Sequence, residues 1–170
     1  MGDRRDAAGA TGELRFSRVF EAPRALVFGC MTDPDHLTHF WGPAGVSAPR
    51  AHIHIDARPG GVFETLMVND ADGSEYPTRA VFDEVRPPEL LVWTESHSGM
   101  RVRSEFVALG PLRTEVRIVQ TYVPEAFLAS EVQAGFLSSL DRFAAYLAGL
   151  EPRGPGGGGS GDEGKEEVSP

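Results

Sequence analysis

Hydrophobic positions change their spacing along the chain, and each spacing predicts a different element. A short extended run near the N-terminus predicts a first strand, formed by Leu14, Phe16, Val19 and Phe20. The next apolar positions, from Leu26 to Met31, recur at helical spacing and predict a short helix. Asp33-Pro34 ends this helix and suits the start of a second one, because Asp is a good N-cap and Pro fits the first turn.

Between residues 49 and 122 apolar and polar positions alternate, which is the period of a half-buried strand. Turn residues such as Pro59-Gly60-Gly61 and Asp72-Gly73 divide this region into hairpin-length segments. The predicted strands are Ala51–Asp56, Val62–Val68, Glu75–Val85, Leu90–Glu95, Arg101–Leu109 and Thr114–Tyr122. With the first strand they predict an antiparallel sheet of about seven strands.

The last apolar pattern predicts one long amphipathic helix between Pro124 and Leu150. Its stripe consists of Leu128, Val132, Phe136, Leu140, Phe143 and Leu147. Some 25 helical residues span about 37 Å, enough to cross a whole sheet. The sequence therefore predicts one α+β domain over residues 13–150, preceded by a disordered leader (1–12) and followed by a flexible, Gly-rich acidic tail (151–170).

Composition excludes several classes of function. The chain of 170 residues is 41% hydrophobic and has a formal net charge of −9. This charge would repel nucleic acid and anionic membranes, so neither is an expected partner. With a single cysteine, no run of apolar residues that could span a membrane and no signal peptide, a cytoplasmic location is expected. A homodimer is compatible with the sequence.

Residues typical of metal or cofactor chemistry are present but poorly placed. His52, His54 and Asp56 alternate along one predicted strand, on its polar and therefore solvent-facing side. His36 and His39 are three residues apart on a short helix, where we expect them at the surface. Cys30 is interpreted as an inert packed thiol. No nucleotide-binding or hydrolase motif occurs, so no cofactor is expected.

Four segments in register resemble one known family. Residues 18–43 (RVFEAPRALVFGCMTDPDHLTHFWGP), 55–63 (IDARPGGVF), 72–95 (DGSEYPTRAVFDEVRPPELLVWTE) and 135–147 (GFLSSLDRFAAYL) are similar to START-like proteins of the SRPBCC superfamily. The branch they resemble is that of the heat-shock-protein-90 ATPase activator C-terminal domain. The resemblance implies the helix-grip fold, a curved sheet wrapped around the long C-terminal helix. Phe40, Phe136, Ala80 and Glu95 depart from the residues usual in this family.

A curved sheet that wraps a single helix leaves residual space, since protein interiors otherwise pack densely. We therefore expect an internal cavity for a small molecule, with the two short helices as its lid. The predicted lining is Phe40, Trp41, Ile53, Ile55, Phe63, Met67, Tyr76, Thr78, Phe82, Trp93, Glu95, Ser104, Phe106, Ile118, Gln120, Tyr122, Phe136 and Leu140. For the apolar members, plain core packing is the alternative.

The polar members of this set are more informative, because a buried polar group needs a partner. Tyr76, Thr78, Ser104 and Gln120 either bond to one another or to water, or they orient a ligand. Glu95 shares the parity of Trp93, so it either faces the pocket or lies solvated beyond the strand end.

Binding of a small hydrophobic ligand, lipid-like, polyketide-like or aromatic, is the function that we expect. One alternative is an enzyme of the cyclase or hydrolase type that uses Tyr76, Glu95 and Gln120. Another is a co-chaperone-like activator of the heat-shock-protein-90 ATPase, which is less favoured because the chain lacks the companion domain of that activator.

Overall fold

Eight strands form one antiparallel sheet in the computed structural model, which describes residues 12–150. The strands are β1 (Gly12–Phe20), β2 (Val46–Ser47), β3 (His54–Ile55), β4 (Val62–Asn69), β5 (Glu75–Arg86), β6 (Leu90–Glu95), β7 (Arg101–Gly110) and β8 (Arg113–Val123). Their order is β1-β8-β7-β6-β5-β4-β2, and β3 also pairs with β4. The predicted leader and tail lie outside the described residues, except that Gly12 already belongs to β1.

Three α-helices accompany the sheet: α1 (Arg24–Thr32), α2 (Pro34–Leu37) and α3 (Ser130–Leu150). The Asp33 side chain accepts a hydrogen bond of 2.8 Å from the Asp35 backbone N–H, and Pro34 occupies the first position of α2. The predicted N-cap is therefore present. The order of elements confirms the predicted helix-grip fold.

The long helix α3 lies along β1 and runs in the same direction. The rings of Phe16 and Phe136 are 4.5 Å apart, and those of Phe20 and Phe143 are 4.9 Å apart. Phe143 also stacks at 4.2 Å on Phe40, which lies between α2 and β2. We call residues 38–46 the lid segment, because they directly follow the helices that were expected to form a lid. Phe143 therefore joins the sheet edge, the helix and the lid in one aromatic contact.

The first half of α3 is much less buried than the second half. Val132 is 44% exposed and Leu137 is 43% exposed, whereas Leu140, Phe143 and Leu147 are buried. The prediction that Val132 belongs to the inward stripe is therefore wrong. The helix is therefore anchored mainly by its second half.

The predicted strand Ala51–Asp56 is also wrong in part. A 3₁₀-helix (Arg50–His52) takes its first half, with the Ile53 N–H bonded to the Arg50 carbonyl, and only His54–Ile55 pairs with β4. Pro49 fixes the backbone that starts this helix. His52 therefore does not share a strand face with His54, although Ile53 is buried as predicted.

A bulge in β8 reverses the predicted orientation of Tyr122. Gly12 pairs with Val123 and Leu14 pairs with Gln120, so two residues of β8 lie opposite one residue of β1. Tyr122 has a φ of 54° and is 61% exposed, whereas Val123 is fully buried. The inward placement predicted for Tyr122 is therefore wrong, because the extra residue shifts the alternation by one position.

Truncating Phe143 should destabilise the fold strongly. Phe143→Ala removes the contacts with both Phe20 and Phe40, and we expect it to lower the free energy of unfolding by about 3–5 kcal/mol. Val132→Ala on the exposed part of the same helix should change it by less than about 0.5 kcal/mol. Urea unfolding followed by circular dichroism measures both changes. Similar losses in the two variants would contradict the proposed anchoring of α3.

Candidate functional site

Aromatic rings cover the concave face of the sheet between β4 and β6. Phe63 contacts the rings of Trp41 at 5.0 Å, Trp93 at 5.6 Å and Phe82 at 6.0 Å. We call these four residues the aromatic cluster. Trp41 is its one member from the lid segment, so the cluster links the sheet to the lid.

The predicted lining residues fall into three groups of burial. The buried ones are Phe40, Ile53, Phe63, Phe82, Trp93, Ser104, Phe106, Ile118, Gln120 and Leu140. The half-buried ones are Trp41, Ile55, Met67, Thr78, Glu95 and Phe136. Tyr122 and Tyr76 are exposed. Tyr76 lies opposite Met67, only two residues from the exposed turn between β4 and β5, so it is not covered although its parity is inward.

Ser104 and Gln120 form a polar pair on the concave face, next to apolar residues of the same two strands. Gln120 pairs with Val102 and Ser104 pairs with Ile118, so the two polar side chains are diagonal neighbours on β7 and β8. They are 2% and 8% exposed. Neither side chain has a hydrogen-bond partner among residues 12–150.

The environment of this pair differs from that of the other buried polar residues. No fully enclosed polar side-chain atom in the described part of the chain lacks a hydrogen bond. The polar atoms of Ser104 and Gln120 therefore face a space that a water molecule can reach. Thr114 on the same face of β8 donates to the Ala22 carbonyl at 2.7 Å, and the hydroxyls of Thr65 and Thr78 bond to each other at 2.7 Å. Thr78 is thus satisfied within the protein.

The residues of the enzyme hypothesis do not converge. Glu95 accepts a hydrogen bond of 2.5 Å from the Ser98 hydroxyl, in the turn after β6. Glu95 lies two strand spacings across the sheet and two residues along it from Gln120, which is about 12 Å. Tyr76 lies four residues along β5 from Ala80, the partner of Glu95, which is about 13 Å. General acid–base chemistry needs its groups within hydrogen-bond reach of one reacting atom.

An unpredicted residue, Arg142 of α3, holds the lid segment. Its Nη1 donates to the carbonyl oxygens of Gly42 at 2.8 Å, Pro43 at 3.0 Å and Val46 at 3.0 Å, with the Trp41 carbonyl at 3.4 Å. The sequence offers no signal for this contact, because an arginine beside an apolar helix stripe usually extends into solvent.

A second unpredicted contact joins α2 to α3. The His36 Nδ1 and the Tyr146 hydroxyl form a hydrogen bond of 2.6 Å, and the exposed His39 stacks on the Tyr146 ring at 5.1 Å. His36 is therefore half-buried rather than a free surface residue. The i, i+3 spacing of the histidines placed them on one side of the chain, but only the fold supplies the tyrosine.

Two depressions of the surface are wide open to solvent. One of about 660 Å³ is bordered by His52, His54 and His97, and one of about 290 Å³ lies beside Ile53 and Ile55. Neither is the expected space between sheet and α3, so the internal cavity stays a prediction. Within residues 12–150, no three metal-ligating side chains are grouped to hold an ion, and no helix has the length and apolarity to span a membrane.

A curved antiparallel sheet around a long C-terminal helix, with two short helices after the first strand, defines a START-like domain of the SRPBCC superfamily. The chain belongs to the family of Activator of Hsp90 ATPase homolog 1-like proteins, whose family model matches residues 21–148. This confirms the resemblance found in the sequence motifs. Domains with this fold often bind hydrophobic ligands.

Solved structures of bacterial proteins share the fold. A protein from Chromobacterium violaceum has a TM-score of 0.72 and 25% identity, over 79% of this chain and 96% of that one. The AHSA1 protein from Silicibacter pomeroyi has a TM-score of 0.68 and 23% identity, over 81% and 98% of the two chains. A protein from Rhodobacter sphaeroides has a TM-score of 0.73 at 19% identity, over 82% and 93%. The sequence matches no curated protein.

The buried thiol of Cys30 should make the fold sensitive to alkali. Burial raises its pKa from 9.0 to about 11, and the Asp33 carboxylate adds to this shift. The contribution of the protonated thiol is fully present below pH 9. This contribution is lost as the pH rises from 9 towards 11, because the thiol ionises in the unfolded chain before it ionises in the folded one. A pKa difference of two units lowers the free energy of unfolding by about 3 kcal/mol in total.

Urea unfolding between pH 7 and 10.5 tests this dependence. Cys30→Ala should be less stable at pH 7 but should lose less of its stability with rising pH. Part of the decline should remain, since burial also raises the pKa of Tyr146. Equal declines of the free energy of unfolding in wild type and variant would show that Cys30 does not cause the pH dependence.

Proposed function

We propose that this protein binds a small, mainly apolar molecule between the concave face of the sheet and the first half of α3. The observation that carries the proposal is the polar pair Ser104 and Gln120, which has no partner among the described residues. In this proposal the ligand carries a hydrogen-bonding group that reaches the Gln120 amide, and its apolar part contacts the neighbouring side chains of the concave face.

The energetics of burial support a binding role for Gln120. A polar side chain that exchanges bulk water for a confined space without a protein partner loses part of its hydrogen bonding, which costs up to about 1–3 kcal/mol. A leucine of similar size at this position would avoid that cost and would add apolar burial beside Val102 and Ile118. Residues that lower the stability of the free protein in this way are typical of binding sites, where they form hydrogen bonds with the ligand.

The charges of the site favour a neutral ligand. The concave residues of β7 and β8 next to the pair, Val102, Phe106, Val116 and Ile118, are apolar and buried. Arg18 faces α3 but bonds to Asp141 at 2.5 Å, so its charge is already matched. The net charge of −9 would further disfavour anions. A neutral, aromatic or aliphatic molecule with a hydroxyl, carbonyl or amide fits these conditions.

Binding of a fluorescent dye, and its displacement by two competitors of similar size, test the proposal. We expect N-phenyl-1-naphthylamine, a neutral apolar dye, to bind saturably with one site per chain. Its displacement should require less 1-naphthol than 1-methylnaphthalene, because these two competitors have nearly the same size and differ in a hydroxyl group. A preference of about threefold to tenfold corresponds to one hydrogen bond. No saturable binding of the dye would refute the proposed function.

Gln120→Leu should separate binding from stability. The variant should abolish the preference for 1-naphthol while the free energy of unfolding stays the same or rises by about 1 kcal/mol. Thr114→Val is the matched control, since Thr114 is a buried polar residue on the same face of the same strand. It should lower stability by about 1 kcal/mol and keep the preference. A Gln120→Leu variant that loses stability and keeps the preference would show that Gln120 is structural.

A further inference from the structure

The side chain of Arg142 contacts the loop of residues 41–46, whose last residue already belongs to β2, at four backbone carbonyls. Four backbone carbonyls, those of Trp41, Gly42, Pro43 and Val46, converge within 2.8–3.4 Å of one guanidinium nitrogen. Carbonyl groups that point to a common centre repel one another unless a cation lies between them. The shape of this loop therefore depends on the charge of Arg142.

A second contact fixes the same loop to the same helix. The Ala44 N–H donates to the Ser138 hydroxyl at 3.0 Å, and Ser138 lies one turn before Arg142 on α3. The far end of the loop is attached elsewhere, because the Gly45 carbonyl accepts from the Asp70 N–H at 3.0 Å. Gly45 has a φ of 86°, a conformation that glycine adopts easily. The loop is thus attached to α3 on one side and to the β4–β5 turn on the other.

The loop lies across the less buried half of α3 and the aromatic cluster. Trp41 contacts the Phe63 ring at 5.0 Å. Pro43 lies close to Gly135 of α3, since a Cβ atom added to Gly135 would be 3.5 Å from the Pro43 Cβ. A movement of this loop away from α3 would therefore carry Trp41 off Phe63 and uncover the concave face beside it.

We propose that the 41–46 loop is the gate through which the ligand reaches the concave face, and that Arg142 is the positioning residue that keeps it closed. This inference rests on the proposed function. Arg142 shares its hydrogen bonds among four carbonyl oxygens, so single bonds can break and re-form as the loop moves. The loss of all four bonds would leave the four carbonyl dipoles without a positive charge between them. Arg142 therefore affects the association and dissociation rates of the ligand more than it affects the Kd.

Stopped-flow fluorescence with N-phenyl-1-naphthylamine tests the gate. We expect Arg142→Met to raise the association and dissociation rates by about 10-fold or more, since the charge-assisted bonds that close the loop are lost. The Kd should change by less than about threefold. Arg142→Lys keeps the charge and should restore part of the slow exchange. Arg117→Met is the matched control, because it removes an exposed arginine that bonds to Glu115 on the opposite face of the sheet, and its rates should equal those of wild type.

Hydrogen exchange of the ligand-free protein gives an independent readout. The backbone amides of Ala44 and Val46 should exchange faster in Arg142→Met than in wild type and Arg117→Met. If Arg142→Met does not fold, Ser138→Ala replaces it, with smaller increases expected in the same measurements.

The outcomes separate the two proposals. Absence of dye binding to the wild type refutes the proposed function, and the gate with it. Dye binding with unchanged rates in the Arg142→Met or Ser138→Ala variants refutes the gate alone, even where hydrogen exchange in the loop becomes faster.

Discussion

One helix has to cover the concave face of an eight-stranded sheet, and the rest of the structure depends on how it does so. The helix α3 lies over the edge strand β1, where Phe16 contacts Phe136 and Phe20 contacts Phe143. A helix about 10 Å wide cannot also fill the remaining width of the sheet. The aromatic cluster and the lid segment fill part of this width, and the polar pair lies between the two regions.

This arrangement divides the domain into a firmly packed part and a part that is held by polar contacts. The contacts around Phe143 are apolar, and any large movement there would expose several rings to water. The 41–46 loop is held instead by hydrogen bonds that Arg142 donates and Ser138 accepts, which water can replace at lower cost. Motion of the lid is therefore compatible with a stable core.

The sequence predicted elements well where local chemistry determines them. The strands β4 to β8 begin and end within one or two residues of the predicted bounds, since alternation and turn residues act locally. Tyr122 was misplaced because one bulge residue reverses parity without any change in the pattern. The role of Arg142 could not be predicted, because it depends on four carbonyls about 100 residues away. The burial of Gln120 on the concave face was predicted from its strand parity alone.

The aromatic cluster also provides natural optical reporters. The chain contains two tryptophans, and each lies against the same phenylalanine, with Trp41 on the loop side and Trp93 on the sheet side. Their emission therefore combines a signal from a segment held by hydrogen bonds with one from a fixed strand. A chain that retains Trp41 alone would have a single native fluorophore on the lid, so its quenching and anisotropy would follow this segment without an attached label.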